Sequence, residues 1–128
     1  MGEEYLIDTN IITKFLRGLL SESLMTLMKR IIEVDVNLSV ITQIELGVYR
    51  LADELEQKSI DLFMTYSTVL PILDQAVRQT IRIRRQYKTK LPDAIIASTA
   101  MVNNYTLLST NDIDFDRITG LAYKSLSL

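Results

Sequence analysis

The chain has 128 residues, 48% apolar and 23% charged, with a formal net charge of −2, which fits one ordinary globular domain with a real core. It contains neither cysteine nor histidine, so thiol nucleophiles, disulfides, cysteine-bound zinc, Ser-His-Asp chemistry and histidine-ligated metals are excluded. Any chemistry must use carboxylates, hydroxyls, Lys, Arg and Tyr, and oxygen-only ligation suits hard cations such as Mg²⁺ or Mn²⁺.

No stretch approaches the ~20 apolar residues of a membrane span, so no membrane partner is expected. Glu3 and Glu4 stand where a secretory signal would carry basic residues, and a cytoplasmic location is the default expectation. Charge is spread unevenly. Arg78, Arg82, Arg84, Arg85, Lys88 and Lys90 follow one another with no acid between them, leaving eight basic residues against 16 acids elsewhere. One basic segment in an acidic chain suits a polyanion partner; the plainer alternative is a solvated helix face.

In chain order, Tyr5-Leu6-Ile7 runs into Asp8-Thr9-Asn10, an apolar buried strand ending in residues that cap a helix. Ile11, Ile12, Phe15 and Leu16 then recur at helical spacing until Gly18. Ser21 to Glu33 predicts a second helix with a broad apolar face of Leu24, Met25, Leu27, Met28, Ile31 and Ile32. Residues 35–40 read as a strand. Thr42-Gln43-Ile44-Glu45 matches a capping box that opens a helix through Leu46, Tyr49 and Leu51. Glu54 to Tyr66 is a further helix, and Thr68 to Ile72 a short strand whose Pro71 suggests an edge. Asp74 reads as the N-cap of the basic helix, with Val77, Ile81 and Tyr87 facing inward. Pro92 suits the first turn of the next helix, Asp93 to Asn103, whose alanines allow close approach and make it the most buried. Thr106 to Ser109 is a strand, residues 111–116 an acidic loop, and Leu121 to Leu126 a final short strand. Alternating strands and helices predict an α/β fold with a mainly parallel sheet, and nothing divides residues 1–128 into more than a single domain.

Ligands of open α/β sheets bind beyond the carboxyl ends of strands. Asp8 follows the first strand, Glu45 lies a helical turn past the second, and Asp112, Asp114 and Asp116 follow the strand ending at Ser109. Asp93 arrives from the start of the buried helix. Asp8, Glu45 and Asp93 each fall in a predicted first helical turn, where free N–H groups and the helix dipole favour an ionised carboxylate. Acids are also common there simply because each stabilises its helix by ~0.3–1 kcal/mol. Glu45 has a structural role available as the reciprocal partner in the capping box.

Four segments together resemble a PIN domain, and in particular the VapC-type toxins of toxin–antitoxin pairs. They are Leu6-Ile7-Asp8-Thr9-Asn10, Ser39-Val40-Ile41-Thr42-Gln43-Ile44-Glu45-Leu46, Leu91-Pro92-Asp93-Ala94-Ile95-Ile96-Ala97-Ser98-Thr99-Ala100 and Leu107-Leu108-Ser109-Thr110-Asn111-Asp112-Ile113-Asp114-Phe115. Each is weak alone; the ordered set, spanning positions 6 to 115, is specific. The resemblance implies a three-layer fold of a mainly parallel sheet flanked by helices. It further implies Asp8, Glu45, Asp93 and Asp114 as catalytic and metal-binding residues, with one or two Mg²⁺ or Mn²⁺ ions supporting hydrolysis of RNA. Thr9 and Asn111 match positions that orient the carboxylates. Asp114 is preferred over Asp112 and Asp116 by its spacing from Asn111 and by Phe115 after it. Ser109-Thr110-Asn111 stands where many members carry Thr-Arg-Asn, so one basic contact is missing. A cognate antitoxin and a homodimer are the protein partners it implies. The competing expectation is a catalytically inactive PIN-like module for RNA binding or protein interaction. A receiver-like signalling domain fits less well, since no Lys lies between Lys90 and Lys124.

Overall fold

A computed structural model describes residues 4–48 and 53–127; Tyr49 and Leu51, expected to extend a helix, lie outside them. Along the chain run β1 (Tyr5–Ile7), α1 (Thr9–Leu16), α2 (Glu22–Val34), β2 (Asn37–Ser39), α3 (Val40–Val48), α4 (Glu54–Thr65), β3 (Thr68–Leu70), α5 (Asp74–Gln86), α6 (Leu91–Val102), β4 (Thr106–Ser109), α7 (Asp112–Phe115) and β5 (Tyr123–Ser125). The strands form one parallel sheet in the order β3-β2-β1-β4-β5. In the β1–β4 pair Tyr5, Leu6 and Ile7 lie opposite Thr106, Leu107 and Leu108. Parallel pairing requires crossover helices, and these cover both faces, which is why every residue of β1, β2 and β4 except Tyr5 and Thr106 is buried.

Successive strand residues point to opposite faces. Ile7 and Leu108 join Ile11, Ile12, Met28, Ile31 and Ile60 in one core. Leu6 and Leu107 join Ile83, Ala94, Ala97, Ala100 and Phe115 in the other. Helices thus sandwich the sheet in the three layers expected. Pro71 follows β3, an edge strand, and α6 buries six of its 12 residues. α1 ends at Arg17, after which Gly18 takes φ of 69°, a left-handed conformation that glycine adopts without a Cβ clash. Among the described residues no helix is long and apolar enough to cross a membrane.

Three local expectations are corrected. The capping box does not form: α3 begins at Val40, and the hydroxyl of Ser39 accepts from the Ile41 N–H at 3.1 Å. Because β2 runs directly into the helix, Thr42 is a buried helical residue and Glu45 falls in the second turn, not the first. In α5 the N-cap position is Leu73, and Asp74, one residue on, pairs with Arg78. Its buried residues are Ala76, Thr80 and Ile83, whereas Val77 and Ile81 are 43% and 47% exposed. This face lies close against α6, where Ala76 leaves room for the approach and Thr80 Oγ bonds Ser98 Oγ at 2.9 Å. Lastly, residues 112–115 of the expected acidic loop form one helical turn, α7, pinned by the fully buried Phe115.

The register of α5 makes a prediction. Ile83→Ala should cost about 2–5 kcal/mol, and Val77→Ala no more than about 0.5 kcal/mol. Urea unfolding midpoints at constant m-value measure both; equal losses would contradict the orientation described.

Candidate active site

Asp8 sits at the carboxyl end of β1, between β2 and β4. Its N–H continues the ladder to the Leu108 carbonyl at 3.0 Å. Its carboxylate accepts from the Thr9 N–H at 2.9 Å and the Ser109 hydroxyl at 2.7 Å, so it serves as the N-cap of α1 and is cross-linked to β4. Only 6% of the residue is exposed. Burial raises its pKa, the Ser109 and Thr9 bonds oppose that, and the charge of Glu45 raises it further.

The Ser109 hydroxyl serves two loops at once. Its proton goes to Asp8 while its oxygen accepts the Asn111 N–H at 2.9 Å, which uses both capacities of a hydroxyl. Asn111 in turn donates from Nδ2 to Asp114 Oδ2 at 2.8 Å. The chain Asp8–Ser109–Asn111–Asp114 therefore ties one acid to another across the β1–β4 seam. From the β2 side, Thr9 Oγ donates to Glu45 Oε1 at 2.6 Å, with Thr42 Oγ 3.1 Å from the same hydroxyl. Glu45 is exposed. Thr42, which sequence reasoning treated as a cap, is instead a buried neighbour of the residue that steers Glu45.

Asp93 enters from the first turn of α6. Its pKa is pushed up to about 6, first by burial, then by the charges of Asp8 and Asp114, a hydrogen bond with Asp114, and the charge of Glu45. The other three acids expected from the sequence thus converge electrostatically on Asp93. The other acids of the 112–116 run do not. Asp112 accepts from the hydroxyls of Tyr123, Ser125 and Ser127, the latter two at 2.9 and 2.8 Å, and these bonds lower its pKa. It holds β5 and the following residues onto the loop, and Asp116 is exposed. Sequence reasoning missed Ser109 as an orienting residue, and Arg117, whose Nη2 stands 3.9 Å from Asp114 Oδ1. The available signal for Ser109 was its position one residue past the Leu108 that faces Ile7.

Whether these residues suit a cation can be judged from their chemistry. Every candidate donor is an oxygen, the set carries up to four negative charges, and among the described residues the buried Asn10 Oδ1 has no partner while its Nδ2 bonds Thr110 Oγ. That donor set fits a hard divalent ion. Among the described residues no three carboxylates stand close enough together to hold one ion; Thr9, Ser109 and Asn111 fix Glu45, Asp8 and Asp114 in place by hydrogen bonds. Because the folded-state pKa of Asp93 lies above the ordinary 3.8, the folded protein binds more protons between these values, and stability falls as pH rises through that window. The advantage of Asp93→Asn over wild type in thermal melts without divalent ions should therefore grow from about pH 4 to pH 6 and level off above. Millimolar Mn²⁺ at pH 7 should reduce the advantage by binding the folded wild type. A pH-independent difference would refute the charge coupling.

The PIN domain family model matches residues 5–121. Ribonuclease VapC of Rickettsia bellii is 29% identical over 132 residues, covering 96% of this chain and 96% of that protein. Ribonuclease VapC1 of Rickettsia felis is 30% identical over 131 residues, covering 95% and 96%. A toxin–antitoxin complex from Klebsiella pneumoniae contains a chain with a TM-score of 0.74 and 25% identity, covering 97% of this chain and 98% of that one. The parallel sheet, the acids gathered at its carboxyl edge and the extent of these matches lead to one conclusion: the chain belongs to the PIN domain family.

Proposed function

We propose that this chain is a metal-dependent endoribonuclease acting in the cytoplasm, the toxin of a type II toxin–antitoxin pair. The single observation that carries the reading is the coupling of Asp93 to Asp8, Glu45 and Asp114 from three other elements. The similarity to the two ribonucleases and to a toxin–antitoxin complex supports it. In this reading Asp8, Glu45, Asp93 and Asp114 hold Mg²⁺ or Mn²⁺. When bound, such an ion supplies water activation and charge neutralisation at phosphorus.

The protein's own residues do the positioning. Ser109 and Thr9 fix the two oxygens of Asp8, Thr9 Oγ steers Glu45, and Asn111 aims Asp114. Without a cation, a proton on Asp93 relieves the crowding of charge. The exposed Arg82, Arg85, Lys88 and Lys90 run from α5 to the start of α6 and contact RNA phosphates beside the acids. Hydrolysis at phosphorus with departure of the 3′ oxygen leaves a 5′-phosphate and a 3′-hydroxyl. A cognate antitoxin silences the toxin, and two copies pair as a homodimer.

Purified protein with Mn²⁺ or Mg²⁺ should cleave RNA, chelation should stop cleavage, and Asp8→Asn should restore growth to cells expressing the chain. RNA binding without cleavage under either ion would instead indicate a catalytically inactive binding module. The two acids of the α7 turn give a sharper contrast. Asp114→Asn should abolish cleavage, while Asp112→Asn should retain it and lower the melting temperature. Ser109→Ala, which leaves the carboxylates intact, should reduce activity about 10–100-fold, as expected for a group that orients a metal ligand.

A further inference from the structure

Four carboxylates on one sheet edge attract a cation and repel RNA. A single divalent ion answers that repulsion at the phosphate being cleaved, but the neighbouring phosphates of the strand still approach an acidic surface. Among the described residues Arg117 is the cation within ion-pair distance of one of these acids. It lies just beyond α7, with Nη2 3.9 Å from Asp114 Oδ1, a separation too long for a hydrogen bond. The same nitrogen donates to the Lys88 carbonyl. Among the described residues the other N–H groups of its guanidinium have no partner, and the side chain is 43% exposed.

Its anchor is rigid. Lys88 belongs to the connector between α5 and α6, and that connector is held by the bond of Arg84 Nε to the Thr89 carbonyl at 3.1 Å. Tyr87 OH adds bonds with the Thr119 N–H at 3.0 Å and the Thr119 Oγ at 3.1 Å. Arg117 is thus fixed at one corner of its fork, beside the acids, with its remaining donors free. A planar guanidinium with spare parallel N–H groups matches a phosphate in two-point contact. Holding it in advance reduces the entropy lost on binding.

We propose that Arg117 binds the RNA phosphate adjacent to the scissile one, on the Asp114 side of the site; this rests on the ribonuclease reading above. The alternative is a strut, in which Arg117 only aligns Asp114 with the connector that leads to Asp93.

Steady-state cleavage of a labelled RNA by the intact protein across a salt series separates the two. The variants are Arg117→Ala, Arg117→Gln and Arg117→Lys, with Arg17→Ala as the control, since Arg17 pairs with Glu56 at the far end of α1 from Asp8. As a phosphate contact, Arg117→Ala should raise KM roughly 10-fold or more, the loss of one charged hydrogen-bonding partner, with kcat little changed. The slope of log(kcat/KM) against log[salt] should become shallower by about 0.7, the value for one single-strand contact. Arg117→Gln, which keeps an amide donor for the Lys88 carbonyl, should lose the slope equally. Arg117→Lys should keep the slope and recover only part of KM. A fall in kcat with the slope unchanged, or rescue by Arg117→Gln, would establish the strut and overturn the proposal. Arg117 variants identical to active wild type would overturn it while leaving the ribonuclease reading intact. A wild type that cleaves no RNA would overturn both.

Discussion

The structure turns on one hydroxyl. Ser109 Oγ donates to Asp8 and accepts from Asn111, so the seam between β1 and β4 is closed by a side chain as well as by the backbone ladder. That seam is where connections diverge. From β1 the chain moves outward through β2 and β3, and on the other side β4 leads to β5. Such a divergence leaves an open crevice at the strand ends, where side chains from several crossovers meet. Asp8 occupies the crevice, and Thr9, Asn111 and Asp114 take their places by bonds that lead back to it or to Ser109.

Gathering carboxylates in this way works against the fold. Burial, and then repulsion, raises the pKa of both Asp8 and Asp93, so these groups destabilise the folded chain at neutral pH compared with mild acid. The helices offset part of this. Asp8 caps α1 and Asp93 lies in the first turn of α6, where unpaired N–H groups favour the charged form. Asp93 nevertheless reaches about 6, so the offset is incomplete. A site that destabilises the fold it sits in is a common compromise between stability and activity.

The acids need a scaffold that does not move under them. α6 supplies it through small residues: Ala94, Ala97 and Ala100 are fully buried, and Ser98 bonds across to Thr80. The close α5–α6 pair fixes both the acid at the start of α6 and the basic surface along α5. Polar satisfaction at Thr80, Ser98 and Thr99 comes largely from carbonyls one turn back in their own helices, so hydroxyls enter this core without unpaired donors. On the other side, Asp112 takes three hydroxyls and fastens β5 and the residues after it. The acidic run therefore divides: Asp114 couples to Asp93 and is bonded by Asn111, while Asp112 fastens the frame.

Much of this was legible in the residues themselves. Apolar runs ending in acids imply buried parallel strands with chemistry at their ends, and all five strands, α1, α2, α4 and α6 lie within a few residues of the positions their patterns imply. The four acids were legible because their types and order are constrained by a resemblance covering most of the chain. Where local patterns misled, a tertiary contact outweighed a local preference. Thr42 has the spacing of a cap, yet β2 enters α3 without a turn and buries it. Val77 and Ile81 have the hydrophobicity of a core face, yet the nearness of α6 selects Ala76 and Thr80. The choice among Asp112, Asp114 and Asp116 depends on which side of a single turn faces Asp93, and the bridging role of Ser109 exists only once β1 and β4 are paired. Sequence by itself determined which elements form and which acids are available, because those follow from periodicity and residue chemistry. Only the tertiary structure decided which hydroxyls and amides aim those acids, because hydrogen bonds between residues about 100 positions apart, such as Ser109 to Asp8, leave no local pattern.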